Sequence, residues 1–466
     1  MVYDGLKRNK RFFWILLVVS FCLFTVCKKT DRLSERDFPE IKEQGELRVL
    51  TLSGSMTYFM YKGEPKGYEY ELLRDFADSH QLKLQIKLAE NETKLTQMLL
   101  NGEGDVIACN IPITNEGKEN LLYCGSKSIN RQVLIQCAHR GNTLLRDVTD
   151  LIGKEIFVIH DSKYYHRLNH LNNELGGGIH IRTIDKDTIS VEDLIEMVSK
   201  GEITYTVSDW DMAKLNKTYF HNLNINLTIS HPQPSSWAVK QSTPALAEAI
   251  DTWFEETQNT PRYKGIIKRY FEMSKMPGDE PAPLMSPTQI SPYDVFFKKQ
   301  ASIIHWDWRL LASIAFQESK FYTDRVSWAG ATGLMGLMPR TAEIFGLSSD
   351  SLIYPESSIR TAVLLIKRLN RSFSSVQDEN ERIKFILAAY NAGSGHIYDA
   401  QALAKTHGKN PAAWSDNVEE YLKLKSLPEY YNDPVCKQGY FRAAETVNYV
   451  QAVLERWEYY KMKVMK

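Results

Sequence analysis

One glutamate, Glu318, stands in the otherwise apolar run LLASIAFQESKFYTDRVSWAGATGLMGLMP (residues 310–339), which reads as a helix followed by a glycine-rich turn. Counted from Leu311, residues Ile314, Ala315 and Glu318 fall at i+3, i+4 and i+7, on the stripe that faces a core or a cleft. A carboxyl placed there is partly desolvated, which is how proteins prepare a general acid for work near neutral pH. The same spacing fits a structural glutamate held by hydrogen bonds, or an exposed one, because this helix is apolar on most sides. Two further runs read as parts of the same pocket. In FILAAYNAGSGHI, with Ile383 just before it, Ile383, Ile386, Leu387 and Tyr390 share one helical face. Asn391, Gly393 and Gly395 then stop the helix, so Tyr390 and Asn391 sit at its end with polar groups open to a ligand. Near the C-terminus, Glu445, Thr446, Tyr449 and Val450 form an ETxxYV pattern on a helix whose apolar face is Val447, Val450, Leu454 and Trp457. Of the other carboxylates, only Asp324, six residues on, lies close to Glu318 in sequence, and it has the setting of a turn residue.

The elements that position these residues belong to a long chain. At 466 residues it exceeds one ordinary core and implies two or three domains. Hydrophobic content of 43% and charged content of 24% are those of globular protein. A net charge of zero gives no case for a nucleic-acid partner, which requires a basic excess or stripe. The cysteines match no CxxC metal site and HExxH is absent, so neither a metal nor another cofactor is expected. Export permits a disulfide among Cys109, Cys124 and Cys137, and buried free thiols fit equally well.

Residues 1–27 read as an export signal: Lys7, Arg8, Lys10 and Arg11 precede the apolar run from Phe12 to Val26. That run has 15 residues, short of the roughly 20 needed to span a bilayer. It ends at Cys27 before Lys28 and Lys29 and resembles a lipoprotein signal, although Phe24, Thr25 and Val26 make a poor lipobox. An acylated Cys27, an uncleaved anchor and ordinary cleavage all place the bulk of the chain outside the cytoplasm. From residue 45 to 272, short β-rich runs alternate with amphipathic ones, as in LRVLTL, YEYELLRDFADSH and KLQIKL, with a second set around KEIFVI, IHIRTI and ITYTVS. That alternation reads as α/β with mainly parallel strands in two lobes. Residues 276–292, MPGDEPAPLMSPTQISP, carry five prolines and form a semi-rigid spacer. Residues 293–466 make up the helical part.

The Glu318–Ser319 pair, the turn from Gly333 to Pro339, the AYNAGxG run from Ala389 to Gly395 and ETxxYV, in this order, resemble the soluble lytic transglycosylase catalytic domain, a lysozyme-like fold that cleaves peptidoglycan. The resemblance covers roughly residues 290–466. It implies Glu318 as the catalytic group, with Ser319, Met335, Tyr390 and Asn391 binding substrate. Where many relatives read GLMQ, this chain has Gly336, so an amide that would reach the sugar is missing and substrate positioning is expected to differ. The α/β part resembles a bacterial extracellular solute-binding domain of the polar amino-acid class. The resemblance rests on Gly67, Tyr68 and Glu69, on Gly104, Asp105 and Val106 before Pro112 to Thr114, and on Leu151, Gly153 and Lys154. It implies a ligand site at Thr114 and Asp209; Asp209 reads equally as a strand-end or turn aspartate. The carboxylate-clamping arginine usual after the threonine is absent, and Lys118 lacks its planar fork.

The expected fold is therefore a bilobal α/β solute-binding-like domain followed by an all-α lysozyme-like domain. Glycoside cleavage ordinarily takes two carboxyl groups, yet one suffices when the substrate supplies the nucleophile. The resemblance implies this route, with a 1,6-anhydro sugar as product. The implied partners are peptidoglycan strands, a small muropeptide or amino-acid-like ligand, and a membrane reached through a lipid on Cys27 at the periplasmic face of the outer membrane. A hydrolytic muramidase and a non-catalytic glycan-sensing lipoprotein are the competing readings.

Overall fold

The computed structural model describes residues 36–138, 143–185, 189–275 and 288–464. The export signal with Cys27, and residues 276–287 of the proline-rich spacer, lie outside the described residues.

Strands β1 (Glu46–Leu52), β4 (Lys83–Ala89), β5 (Val106–Pro112), β6 (Leu121–Asn130) and β12 (Gln233–Lys240) form the first lobe in the order β4-β1-β5-β12-β6. β1 pairs in parallel with β4 and β5, while β12 runs antiparallel to β5 and β6. Leu47, Val49 and Leu50 of β1 are all fully buried; ELRVLTL alternates at its start and is buried on both faces from Val49 to Thr51. The second lobe has the order β11-β7-β10-β8-β9, built from β7 (Gln132–Cys137), β8 (Glu155–Ile159), β9 (His180–Ile184), β10 (Tyr205–Asp209) and β11 (Leu223–Asn224). The chain crosses between lobes twice, from β6 to β7 and from β11 back to β12. Cys109 and Cys124 are buried free thiols, and Cys137 and Cys436 are also unbridged.

The helices that matter for the site are α1 (Tyr68–Ser79), α2 (Lys163–Glu174), α3 (Val191–Lys200), α4 (Trp210–Lys217), α5 (Asp294–Ile304), α6 (Trp308–Ser319), α7 (Pro355–Ser372), α8 (Glu379–Ala392), α9 (Ser394–Thr406) and α10 (Ala443–Lys463). From α5 onward the described chain is helices and turns. One core gathers Leu311, Ile314 and Ala315 of α6, Ile359 and Ile366 of α7, Phe385 and Leu387 of α8, and Val450 and Val453 of α10. Burial on several sides of α6 explains why its apolar pattern is too broad to mark a single stripe.

A short hairpin, β2 (Phe59–Tyr61) and β3 (Glu64–Lys66), leaves the first lobe and reaches the helical domain. Its two-residue loop, Lys62-Gly63, has positive φ at both positions, 48° and 78°, the geometry that matches the twist of hairpin strands. In return, Trp328, Ala329 and Tyr440 of the helical domain are buried in the core of the first lobe.

Candidate active site

Asp307 caps α6 by accepting a hydrogen bond from the Arg309 amide, and the helix ends one residue past Glu318, at Ser319. The exit is abrupt: Lys320 and Phe321 both take positive φ, 52° and 70°, a region that non-glycine residues rarely enter. Ser319 is buried and donates to Leu334 O at 2.8 Å, fastening the end of α6 to the glycine-rich turn. Met335 is also buried; its carbonyl accepts from the Tyr390 hydroxyl at 2.7 Å, and its amide donates to Ser358 Oγ. Ser319, Met335 and Tyr390 thus shape the floor beneath Glu318 from inside the protein. In this arrangement their side chains are not among those lining the cavity.

Glu318 and Asn391 do line it. The cavity, about 610 Å³, runs between the two domains and also takes in Glu445, Tyr449, Arg325, Arg442, Trp328 and Lys275. Asn391 Oδ1 accepts from Thr446 Oγ1 at 2.6 Å, so the AYNAG and ETxxYV segments are joined directly. Glu445 and, from the α/β domain, Glu196 are the other carboxyls lining the cavity, whereas Asp324 is exposed and outside it. Burial, opposed by the charges of Lys62 and Arg442, pushes the Glu445 carboxyl above the usual carboxylate range. The Tyr449 phenol, raised first by burial and then by the charge of Glu318, makes no hydrogen bond of ordinary geometry. Among the described residues no cluster of three or more His, Cys, Asp or Glu side chains gathers to hold a metal.

The group facing Glu318 comes from the other domain. Lys62 Nζ, at the hairpin tip, donates to both Glu318 oxygens at 3.3 and 3.2 Å and to Gly336 O at 3.2 Å. Both side chains are over nine-tenths buried. Gly336 makes this possible: at its φ of +58° a Cβ would lie 2.1 Å from Glu318 Oε2. Gly393 admits the hairpin tip in the same way, since a Cβ there would meet Gly63 N at 2.8 Å. Behind them, the buried Lys425 donates to Asp399 Oδ2 at 2.6 Å and to His396 Nδ1 at 3.1 Å. An ammonium only donates, so Nδ1 accepts and Nε2 carries the proton that is given to Met60 O, 3.0 Å away on the hairpin. Tyr61 adds a bond to Glu445 at 3.4 Å. Sequence reasoning did not find Lys62, whose sole signal was the Lys62-Gly63 turn between two β-rich triplets.

In the α/β domain, Thr114 and Asp209 are not brought together around a common space. Thr114 Oγ1 accepts from the Gly117 amide in a local turn, and Asp209 is paired with Lys163 at 2.5 Å. A cavity of about 180 Å³ between the lobes is lined instead by Tyr68, Glu69, Asn110, Trp210, Asp211 and Lys214. Glu69 accepts from Trp237 Nε1 at 2.7 Å and Asn110 Nδ2 at 2.9 Å, and burial pushes its carboxyl up to about 8.

Two α/β lobes joined by a double crossover, followed by a helical domain whose buried Glu318 faces a cleft, have the layout of a solute-binding module fused to a glycan-cleaving module of lysozyme type. Residues 47–273 match the model of the bacterial extracellular solute-binding proteins, family 3, and residues 296–412 that of the transglycosylase SLT domain. The chain is 30% identical over 442 residues to membrane-bound lytic murein transglycosylase F of Pseudomonas putida strain F1, spanning 94% of this chain and 88% of that protein. It is 29% identical over 453 residues to the protein of the same name from Desulfosudis oleivorans, spanning 97% and 96%. A solved substrate-binding domain of Lactococcus lactis GlnP aligns with 49% of this chain and 96% of its own, at 18% identity and a TM-score of 0.41. The chain belongs to the membrane-bound lytic murein transglycosylase F family and is a peptidoglycan lytic transglycosylase of the cell envelope. Among the described residues no helix is long and apolar enough to cross a membrane.

Proposed function

We propose that Glu318 alone serves as acid and then base in cutting the β-1,4 bond between N-acetylmuramic acid and N-acetylglucosamine, and that the α/β domain controls access to it. Glu318 protonates the bridging oxygen as the C1–O bond breaks. The muramic C6 hydroxyl oxygen then attacks C1 while the Glu318 carboxylate takes its proton, closing a 1,6-anhydro ring with no water consumed. The intramolecular nucleophile gains from proximity. Asn391 lies on the cavity wall to hold substrate, and Ser319, Met335 and Tyr390 keep the Glu318 helix and the Gly336 turn in register.

The observation that carries the control is the Lys62 ammonium seated on Glu318. With the hairpin in the cleft, the carboxyl is already engaged by Lys62 and the space beside it is taken by the hairpin tip rather than by a glycan strand. Withdrawal of the hairpin frees both. A small wall-derived or amino-acid-like solute bound between the lobes shifts that equilibrium only as far as it binds one arrangement better than the other. Acylation of Cys27 would place the enzyme at the inner face of the outer membrane, against its substrate. The chemistry is tested by mass spectrometry of peptidoglycan digested by the soluble chain from about residue 30, with and without chelator. Expected are 1,6-anhydromuramic ends in both; mainly reducing ends would make the enzyme a hydrolase, and loss of cleavage with chelator would require a metal.

A further inference from the structure

Ligands of open α/β sheets bind in the crevice outside the carboxyl ends of the strands. In this protein the carboxyl end of β1 leads to Ser53 and Ser55 in one lobe, and α3, which follows β9 in the other lobe, begins with Val191 and Glu192. Part of the helical domain sits between them. The Tyr440 amide donates to Ser53 Oγ at 2.8 Å, and the Tyr440 hydroxyl donates to Glu192 Oε2. The other oxygen of the same carboxylate accepts from Ser55 Oγ. Ser55, Glu192 and Tyr440 are all buried. The flanking residues repeat the pattern: Ser426 Oγ reaches Asp193 Oδ2 at 3.3 Å, and Arg442 Nη1 reaches Asn216 Oδ1 at 2.8 Å. The Arg442 guanidinium also lies 4.2 Å over the Tyr219 ring.

One carboxylate of the second lobe is thus hydrogen-bonded at once by the first lobe and by the catalytic domain, the way a bound solute bridges two lobes. We infer that Gly439–Tyr440 is an internal ligand of the interlobe crevice, holding the lobes at their present spacing, so that a solute binding between the lobes competes with it. The loop leads straight into α10, which carries Glu445 and Tyr449 into the cleft, and Tyr61 of the hairpin bonds Glu445. Release of Tyr440 therefore loosens the helix that the hairpin rests on. This inference rests on the access control proposed above and names the contact through which the lobes exert it. Binding that favours a different lobe spacing and docking of Tyr440 oppose each other by the same factor in both directions.

The test uses the soluble chain from about residue 30 with Tyr440→Phe, Glu192→Ala and both together. Hydrogen exchange of the amides in 436–445 and 59–66, and the rate of muropeptide release, are the readouts. Each single change is expected to raise exchange in both segments. Tyr440→Phe should raise the release rate about fivefold, the loss of one buried hydrogen bond. Glu192→Ala should raise it at least as much because the Ser55 bond is lost as well, and the double variant should match Glu192→Ala, where the Tyr440 bond is already gone. Unchanged exchange in the single variants, or effects that multiply in the double, overturn the inference. Ser53→Ala, which removes only the bond to the Tyr440 amide, supplies a second reading if Glu192→Ala unfolds. Lys62→Ala separates the two ideas: should it leave release unchanged while the Tyr440 and Glu192 effects on exchange remain non-additive, the internal ligand stands and the Lys62 plug falls.

Discussion

Glu318→Gln keeps the size of the side chain and removes the transferable proton. Release of soluble muropeptides should fall about 10² to 10⁴-fold, the usual worth of general acid catalysis, with a cooperative melting transition retained. A variant keeping more than roughly a tenth of the activity would dismiss Glu318 as the acid. Lys425 makes a different kind of demand. It is fully buried, and its amine is held below the usual lysine range by burial against the pull of Asp399. Lys425→Met should destabilise the helical domain by about 3–5 kcal/mol, read by chemical denaturation, because Asp399 is left buried without its cation. At this scale the sequence exposed what lies on one element: Glu318 on α6, and Tyr390 and Asn391 where α8 ends. It concealed what folding brings from afar. Lys62 is 256 residues from Glu318, and no local period links them. Glu445 was visible as part of a motif, but its place in the same cavity depends on the path of α10. Asp209 looked free because the lysine that fills it, Lys163, lies 46 residues earlier on α2.

The hairpin, the Trp328 loop and α10 act as elements. Trp328 is nearly fully buried, with its ring 5.2 Å from Tyr61 and 5.7 Å from Tyr270, and Lys275 Nζ lies 4.7 Å over it. Truncating a buried tryptophan typically costs about 3–5 kcal/mol. Trp328→Ala should draw that loss from the docking of the two domains. Amides of 326–331 and 59–66 are then expected to exchange faster while those of 308–319 stay protected, and equal loss of protection in α6 would show a general unfolding instead. The strands and helices themselves were legible, because apolar runs and amphipathic periods are local. The hairpin was not, since three-residue strands carry too little pattern and a Lys-Gly loop is a weak turn signal. The docking surface was hidden for a related reason: Trp328 and Tyr440 read as residues of their own domain and are buried in its neighbour.

Across the whole molecule, Lys275 reports on the fit between the domains. Burial pulls its ammonium down to about 7, against about 10.4 in an unfolded chain. Between those values the folded state binds fewer protons than the unfolded one, so this group makes stability rise with pH from about 7 toward about 10. Lys275→Met should flatten that rise in thermal melts taken across the window; an unchanged slope would mean that Lys275 does not titrate there. In the proposed closure Lys62 is the bolt: it bonds Glu318, Gly336 and Gly393 leave the space that the side chain and the hairpin tip occupy, and His396 bonds Met60 O on the strand behind it. The most direct measurement is the initial rate of muropeptide release by the soluble chain carrying Lys62→Ala, relative to wild type. Removing the bolt should raise that rate by about tenfold, the equivalent of about 1.4 kcal/mol of closure, with the products unchanged in kind. A rate equal to or below that of the wild type would contradict closure by the hairpin.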